Sequence, residues 1–185
     1  DLLPDSGRVE TFGCNARDLG PRELGRIGYV HQEGELLDWM TAGQLVRYVA
    51  AYYPGWNLEL ERRYVADFGI DLRARVGALS PGERQKLAIL VAIAPEPQLL
   101  ILDEPASALD PIARARFLDL LLELIQNEDR TIIISSHILS DVEKVIDHVV
   151  IMDSGRIVRD CSFDDLREEF HRVHLTALHG SLPAT

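Results

Sequence analysis

A chain of 185 residues, 46% hydrophobic and 26% charged, has the composition of one soluble globular domain, or one domain with an insertion, large enough to bury a sizeable core. Its formal net charge of −11 argues against nucleic acid as a partner, because affinity for a phosphate backbone comes from clustered Lys and Arg. No apolar run approaches the roughly 18 to 20 residues that span a bilayer, and two distant cysteines, Cys14 and Cys161, make neither a disulfide framework nor a metal knuckle, so the expectation is a cytosolic chain.

The first segment carries a turn cluster, Pro4-Asp5-Ser6-Gly7, and then Arg8 to Gly13, whose alternation predicts a half-exposed strand. A second strand is predicted over Arg26 to Val30, ending at His31-Gln32 and a loop, Glu33-Gly34-Glu35. From Thr41 the period becomes helical. Thr41 and Gln44 make a capping box, and Leu45, Tyr48, Val49 and Tyr52 recur at helix spacing, which reads the tyrosines as core. Asn57 caps a second helix with Leu60, Tyr64, Val65 and Phe68 on one side, ended by Gly69.

A third helix opens at Ser80-Pro81-Gly82-Glu83, with Ser at the cap, Pro at the first position and Glu at the third. The same arrangement presents backbone N–H groups and the positive end of a helix dipole, which suits an anion. These helices form a block over about 36–97 that separates strand-bearing parts on either side.

Leu99-Leu100-Ile101-Leu102 has no polar alternation and predicts a strand buried on both faces, in the middle of a parallel sheet. Its first charges, Asp103 and Glu104, arrive together at its carboxyl end, where open α/β sheets bind ligands. Their side chains should point different ways, one toward a divalent cation and the other toward a water. Ser107 to Asp110 then leads into a helix with Asp110 as N-cap and Pro111 at its first position. That helix carries Phe117, Leu118, Leu121, Leu124 and Ile125, turns at Asn127-Glu128-Asp129, and feeds a strand over Thr131 to Ser135. Strand, helix and strand make a βαβ unit, hence a parallel sheet. His137 falls just past that strand, on the same edge as Asp103 and Glu104.

Further on, Val142, Val145 and Ile146 predict a helix, Val149 to Met152 a buried strand, and Asp153-Ser154-Gly155 a turn into Arg156 to Val158. From Ser162 the sequence reads as a polar tail, and His171, His174 and His179 lack the spaced acidic or cysteine partners of a metal site.

In order, Gln32, Leu79-Ser80-Pro81-Gly82-Glu83, Leu99 to Glu104, Ser107 to Asp110 and His137 make the chain resemble the nucleotide-binding domain of an ABC ATPase, from about Leu2 to Arg159. The resemblance implies a fold of α/β class, a P-loop NTPase-like parallel sheet with an inserted helical subdomain at about 36–97 and a small antiparallel β part. The domain would occupy 1–160, and 161–185 would form a C-terminal extension. It further implies ATP and Mg²⁺: Asp103 and Gln32 toward the metal, Glu104 as general base for the attacking water, and His137 toward the γ-phosphate. Ser80, Gly82, Glu83 and Asp110 would serve the nucleotide site, Ser80 and Gly82 reaching a nucleotide held by the opposite protomer.

The implied partners are therefore a second nucleotide-binding domain, in a homo- or heterodimer, and a membrane permease that holds the protein at the inner face of the cell membrane. The Leu-Ser-x-Gly-Glu-Arg-Gln-Lys-Leu form and Trp39-Met40-Thr41 resemble subunits of export-type permeases. Two departures stand beside this. Pro81 and Glu83 replace the commoner Gly and Gln, and no G-x-x-x-x-G-K-[ST] phosphate loop occurs in the 185 residues. In the family that loop would fall just before Asp1, so the expectation is a truncated chain, inactive alone. The alternatives are a soluble ABC ATPase without a transport role and a non-catalytic ABC-like regulatory protein.

Overall fold

The computed structural model describes residues 6–32, 36–126, 130–138 and 142–169. The chain divides after Val142 into two compact units.

The first unit opens with a hairpin of β1 (Glu10–Thr11) and β2 (Cys14–Asn15), antiparallel to each other. A single strand over Arg8 to Gly13 was the expectation from alternation. Instead the chain reverses at Phe12 and Gly13, both with positive φ (54° and 77°), the backbone of a two-residue hairpin turn. Gly13 takes that conformation freely. Phe12 does not, and its ring is fixed under the Arg26 guanidinium, 3.7 Å from the ring centre.

Past the short helix α1 (Pro21–Leu24), three strands form a parallel sheet in the order β3 (Ile27–Val30), β4 (Leu99–Asp103), β5 (Thr131–Ser135). Between β3 and β4 lie the helices α2 (Ala42–Ala50), α3 (Leu58–Phe68) and α4 (Pro81–Ile93), and between β4 and β5 lies α5 (Pro111–Ile125). This is the α/β fold with an inserted helical part that the sequence predicts. The predicted capping residues all act: Thr41 accepts from Gln44 N, Asn57 from Glu59 N and Leu60 N, Ser80 from Glu83 N, and Asp110 from Ile112 N and Ala113 N. Gly69 ends α3 in the left-handed conformation.

The core joins Val30, Leu100 and Leu102 of the sheet to Leu87, Ile89, Leu90 and Ile93 of α4 and Phe117 and Leu121 of α5. Gly28 lets β3 lie against α4, since a Cβ there would meet the Ala92 carbonyl oxygen at 2.4 Å. Strand β4 is central, as predicted, but its two faces differ. Leu100 and Leu102 are fully buried, whereas Leu99 and Ile101 on the other face are only half-buried by the described residues. The tyrosines of α2 are also not core. Leu45 and Val46 fill that role, and Tyr48 and Tyr52 pair edge to face on the outside, Tyr52 with 67% of its surface exposed. The helical stripe is centred one position earlier than expected, and Tyr52 lies beyond the last residue of the helix.

The second unit is a hairpin of β6 (His148–Asp153) and β7 (Arg156–Ser162), turning at Ser154 and Gly155, followed by α6 (Phe163–Glu169). Three expectations fail here. Within this unit and among the described residues, β6 pairs with β7 alone and is not buried, Met152 being 67% exposed, because a two-stranded ribbon leaves its faces uncovered. Residues 142–145 are turn rather than helix, three of the five residues from Val142 to Ile146 being β-branched. The predicted tail begins instead with α6, whose start Ser162 caps by accepting from Asp165 N, and which buries Phe163 and Leu166. The expected turns at Pro4-Asp5 and Asn127 to Asp129, the loop Glu33 to Glu35, and His171, His174 and His179 lie outside the described residues.

Candidate functional site

Strand pairing sets the site. Asp103 at the end of β4 stands in register with Ser135 at the end of β5. The Ser135 hydroxyl donates to Asp103 Oδ1 at 2.6 Å and accepts from the Glu104 backbone N–H at 3.0 Å. Glu104 leaves the strand in the left-handed region, φ 45°, a conformation that costs a residue with a Cβ about 1–2 kcal/mol. Its carbonyl oxygen accepts from Ser107 N (3.2 Å) and Ser107 Oγ (2.9 Å), which holds the turn.

That turn carries the Glu104 carboxylate across to the loop after β5. There Oε1 accepts from the His137 backbone N–H at 2.9 Å and lies 2.8 Å from His137 Nδ1. The Glu104 side chain is 18% exposed and that of His137 68%. The structure thus brings Asp103, Glu104 and His137 to one edge of the sheet and holds the two carboxylates on different partners, Asp103 on Ser135 and Glu104 on His137. Gln32 follows β3, whose Val30 pairs with Leu102, so it reaches the same edge one strand away.

No three His, Cys, Asp or Glu side chains among the described residues could together hold a metal. A cation beside Asp103 would therefore complete its shell with a ligand's own oxygens and water. That suits Mg²⁺, which is bound through one or two carboxylates plus substrate phosphates, and Asp103 has one oxygen fixed by Ser135 and its other free of hydrogen bonds among the described residues.

The remaining predicted residues gather at the start of α4 and the loop before α5. Ser80 Oγ donates to Glu83 Oε2 at 2.6 Å and accepts from Glu83 N, while Ser80 N donates to the same carboxylate oxygen at 2.8 Å. The Ser80 hydroxyl and N–H together hold the Glu83 carboxyl below its ordinary range, with Lys86 adding to the effect. The hydroxyl proton of Ser80 is thus committed to its own helix. The amide of Ala113 is the first of the groups that lower Asp110, and Lys86 Nζ lies 3.5 Å from Asp110 Oδ2. Gly82 abuts the same loop, since a Cβ there would meet the Ala108 carbonyl oxygen at 2.8 Å.

Two residues of this site were not singled out from sequence. Gln85 is 2% exposed and donates to the Pro105 carbonyl at 3.2 Å, tying α4 to the turn after Glu104. A polar residue in an otherwise apolar helical run was its signal. Ser135 was visible only as the last residue of a strand, and its role appears once the register with Asp103 is known.

A family model described as "AAA domain, putative AbiEii toxin, Type IV TA system" matches residues 18–140. The phosphonates import ATP-binding protein PhnC 1 of Ruegeria sp. is 32% identical over 198 residues, an alignment that takes in 98% of this chain and 76% of that protein. The chain belongs to the ABC transporter ATP-binding proteins. A second member, the bacitracin transport ATP-binding protein BcrA of Bacillus licheniformis, is 34% identical over 90% of the chain, which spans 55% of that relative's length. A solved ATP-binding subunit of an ABC transporter superposes with a TM-score of 0.79 at 28% identity, over 91% of this chain and 72% of that one. The ABC fold accounts for the parallel sheet, the inserted helices and the small antiparallel hairpin together.

Proposed function

We propose that this chain is part of the ATP-binding and hydrolysing subunit of an ABC transporter, inactive alone because its 185 residues hold no G-x-x-x-x-G-K-[ST] phosphate loop, with the nucleotide-binding domain at 1–160, its helical subdomain at 36–97 and an extension at 161–185. The observation that carries the reading is the cluster at the ends of β4 and β5, where Glu104 Oε1 is 2.8 Å from His137 Nδ1 beside Asp103. Glu104 takes a proton from the water that attacks the γ-phosphorus, the bond to the bridging oxygen breaks, and ADP and phosphate leave. Holding Oε1 on His137 leaves Oε2 to face that water. The Nε2 edge of His137 is left for the γ-phosphate, to which it donates in the form that carries a proton on both ring nitrogens. Asp103 and Gln32 would hold Mg²⁺, which when bound draws charge from the phosphate oxygens.

Two protomers acting head to tail complete the reading, with the start of α4 facing the nucleotide of the other protomer. Ser80 must then release Glu83 for its hydroxyl to reach a phosphate. The coupling partner is a membrane permease at the inner face of the cell membrane; no described helix of this chain is itself long and apolar enough to cross one. Support for that partner comes from the stretch after Gln32: Met40 is buried, but Trp39 is 68% exposed with Leu37 beside it. An exporting direction rests on the Leu79 to Leu87 and Trp39 to Thr41 resemblance.

The test is Glu104→Gln in the full-length protein. Phosphate release falls by about 10²- to 10⁴-fold, the worth of a positioned general base, with ATP binding retained. Turnover at the wild-type rate removes Glu104 from the role.

A further inference from the structure

Outside the residues that the family motifs mark, one side chain among the described residues, that of Ser135, hydrogen-bonds both the Asp103 carboxylate and the Glu104 backbone N–H. We propose that Ser135 is a positioning residue whose single hydroxyl sets the directions of Asp103 and Glu104. This rests on the reading of those two residues as metal-holding and base carboxylates.

A serine hydroxyl has one proton to give and lone pairs to receive. Here the proton goes to Asp103 Oδ1, a short 2.6 Å bond to a charged acceptor, and a lone pair takes the Glu104 N–H at 3.0 Å. The register places Ser135 directly opposite Asp103, so both bonds are made without leaving the sheet. Glu104 needs such support because its φ is 45°. Its backbone is pinned from both sides, the N–H by Ser135 and the carbonyl by Ser107, while its carboxylate is held by His137. Of these partners only Ser135 also binds Asp103. Moving its hydroxyl changes both carboxylates at once, whereas losing Ser107 or His137 changes only Glu104.

The decisive pair of variants is Ser135→Val and Ser135→Thr, which share a shape and differ in the hydroxyl. In the full-length protein, hydrogen exchange of the Glu104 amide, read by NMR, is expected to rise at least about 10-fold in Ser135→Val, the worth of one hydrogen bond, with the Leu102 amide unchanged. In Ser135→Thr it stays within about 3-fold of wild type. For ATP hydrolysis, kcat falls about 10- to 100-fold in the Val variant with KM for ATP unchanged, the Mg²⁺ concentration needed for half-maximal rate rises, and Thr restores both. Ser135→Ala gives the same result without added bulk and serves if Val does not fold. Wild-type exchange at Glu104 in Val and Ala overturns the proposal, and so does a Thr variant as impaired as Val. Glu104→Gln run alongside separates the two readings: if it turns over normally the base assignment falls, while the exchange data still decide what Ser135 does.

Discussion

Gly82→Ala measures how tightly the start of α4 is fitted to the loop before α5. A Cβ at this position would lie 2.8 Å from the Ala108 carbonyl oxygen, a backbone atom that can move only by shifting the loop. Such overpacking costs about 1–3 kcal/mol. Ala is a better helix residue than Gly by about 0.5–1 kcal/mol, which offsets part of that loss and leaves a net destabilisation of about 1.3 kcal/mol at the middle of both ranges and at most about 2.5 kcal/mol. For a chain of this size that lowers Tm by about 3–5 °C, and by at most about 10 °C. Intrinsic fluorescence is the assay, because Trp39 and Trp56 both belong to the first unit and report its unfolding. The control is Gly55→Ala, where a Cβ would meet nothing within 4 Å, and its Tm stays within about 2 °C of wild type. If Gly82 serves only a phosphate brought by another protomer, the two variants are equally stable, and the inferred contact with Ala108 is refuted.

Three other outcomes are expected. Glu83 and Asp110 have carboxyl values lowered by Ser80 and by the Ala113 amide, so their contribution is present above the ordinary carboxylate range and is lost as pH falls through the lowered values. Tm therefore drops from about pH 5 to about pH 3, and Glu83→Gln makes that drop smaller, which thermal scans across the range will show. The 185-residue chain alone gives no submicromolar or low-micromolar ATP binding by calorimetry, because its sequence holds no G-x-x-x-x-G-K-[ST] cradle for the β- and γ-phosphates. Trp39→Ala in the full-length protein weakens permease binding and permease-stimulated hydrolysis with basal ATPase and Tm near wild type, as its 68% exposure requires, whereas a large Tm loss with permease binding unchanged makes it a core residue.

The parts of the fold most legible in sequence were those that local chemistry decides. Ser80, Asn57, Thr41 and Asp110 each announce a helix start by accepting from the first-turn amides, and each does so in the structure. The uninterrupted apolar run of β4 placed it in the middle of the sheet. What escaped was set by neighbours. Whether Tyr48 and Tyr52 face inward depends on a rotation of α2 by about one residue, to which a period of 3.6 is nearly blind. The burial of β6 depended on a partner that the hairpin does not contain. The turn at Phe12 has a ring stacked on Arg26 as its local reason, a contact between residues 14 positions apart. At the site, the carboxylates and His137 were visible as a motif. The positive φ of Glu104 and the bridging hydroxyl of Ser135 required the strand register.

The central claim is that the carboxylate at the turn after β4 drives ATP hydrolysis. The most direct measurement is the bound nucleotide and molar mass of the Glu104→Gln protein, full length, incubated with Mg²⁺ and ATP and passed through size exclusion with light scattering. Loss of the base without loss of the fold predicts a species of twice the protomer mass that carries ATP rather than ADP. A protomer-sized species carrying ADP contradicts it, because the nucleotide would then have been hydrolysed without Glu104.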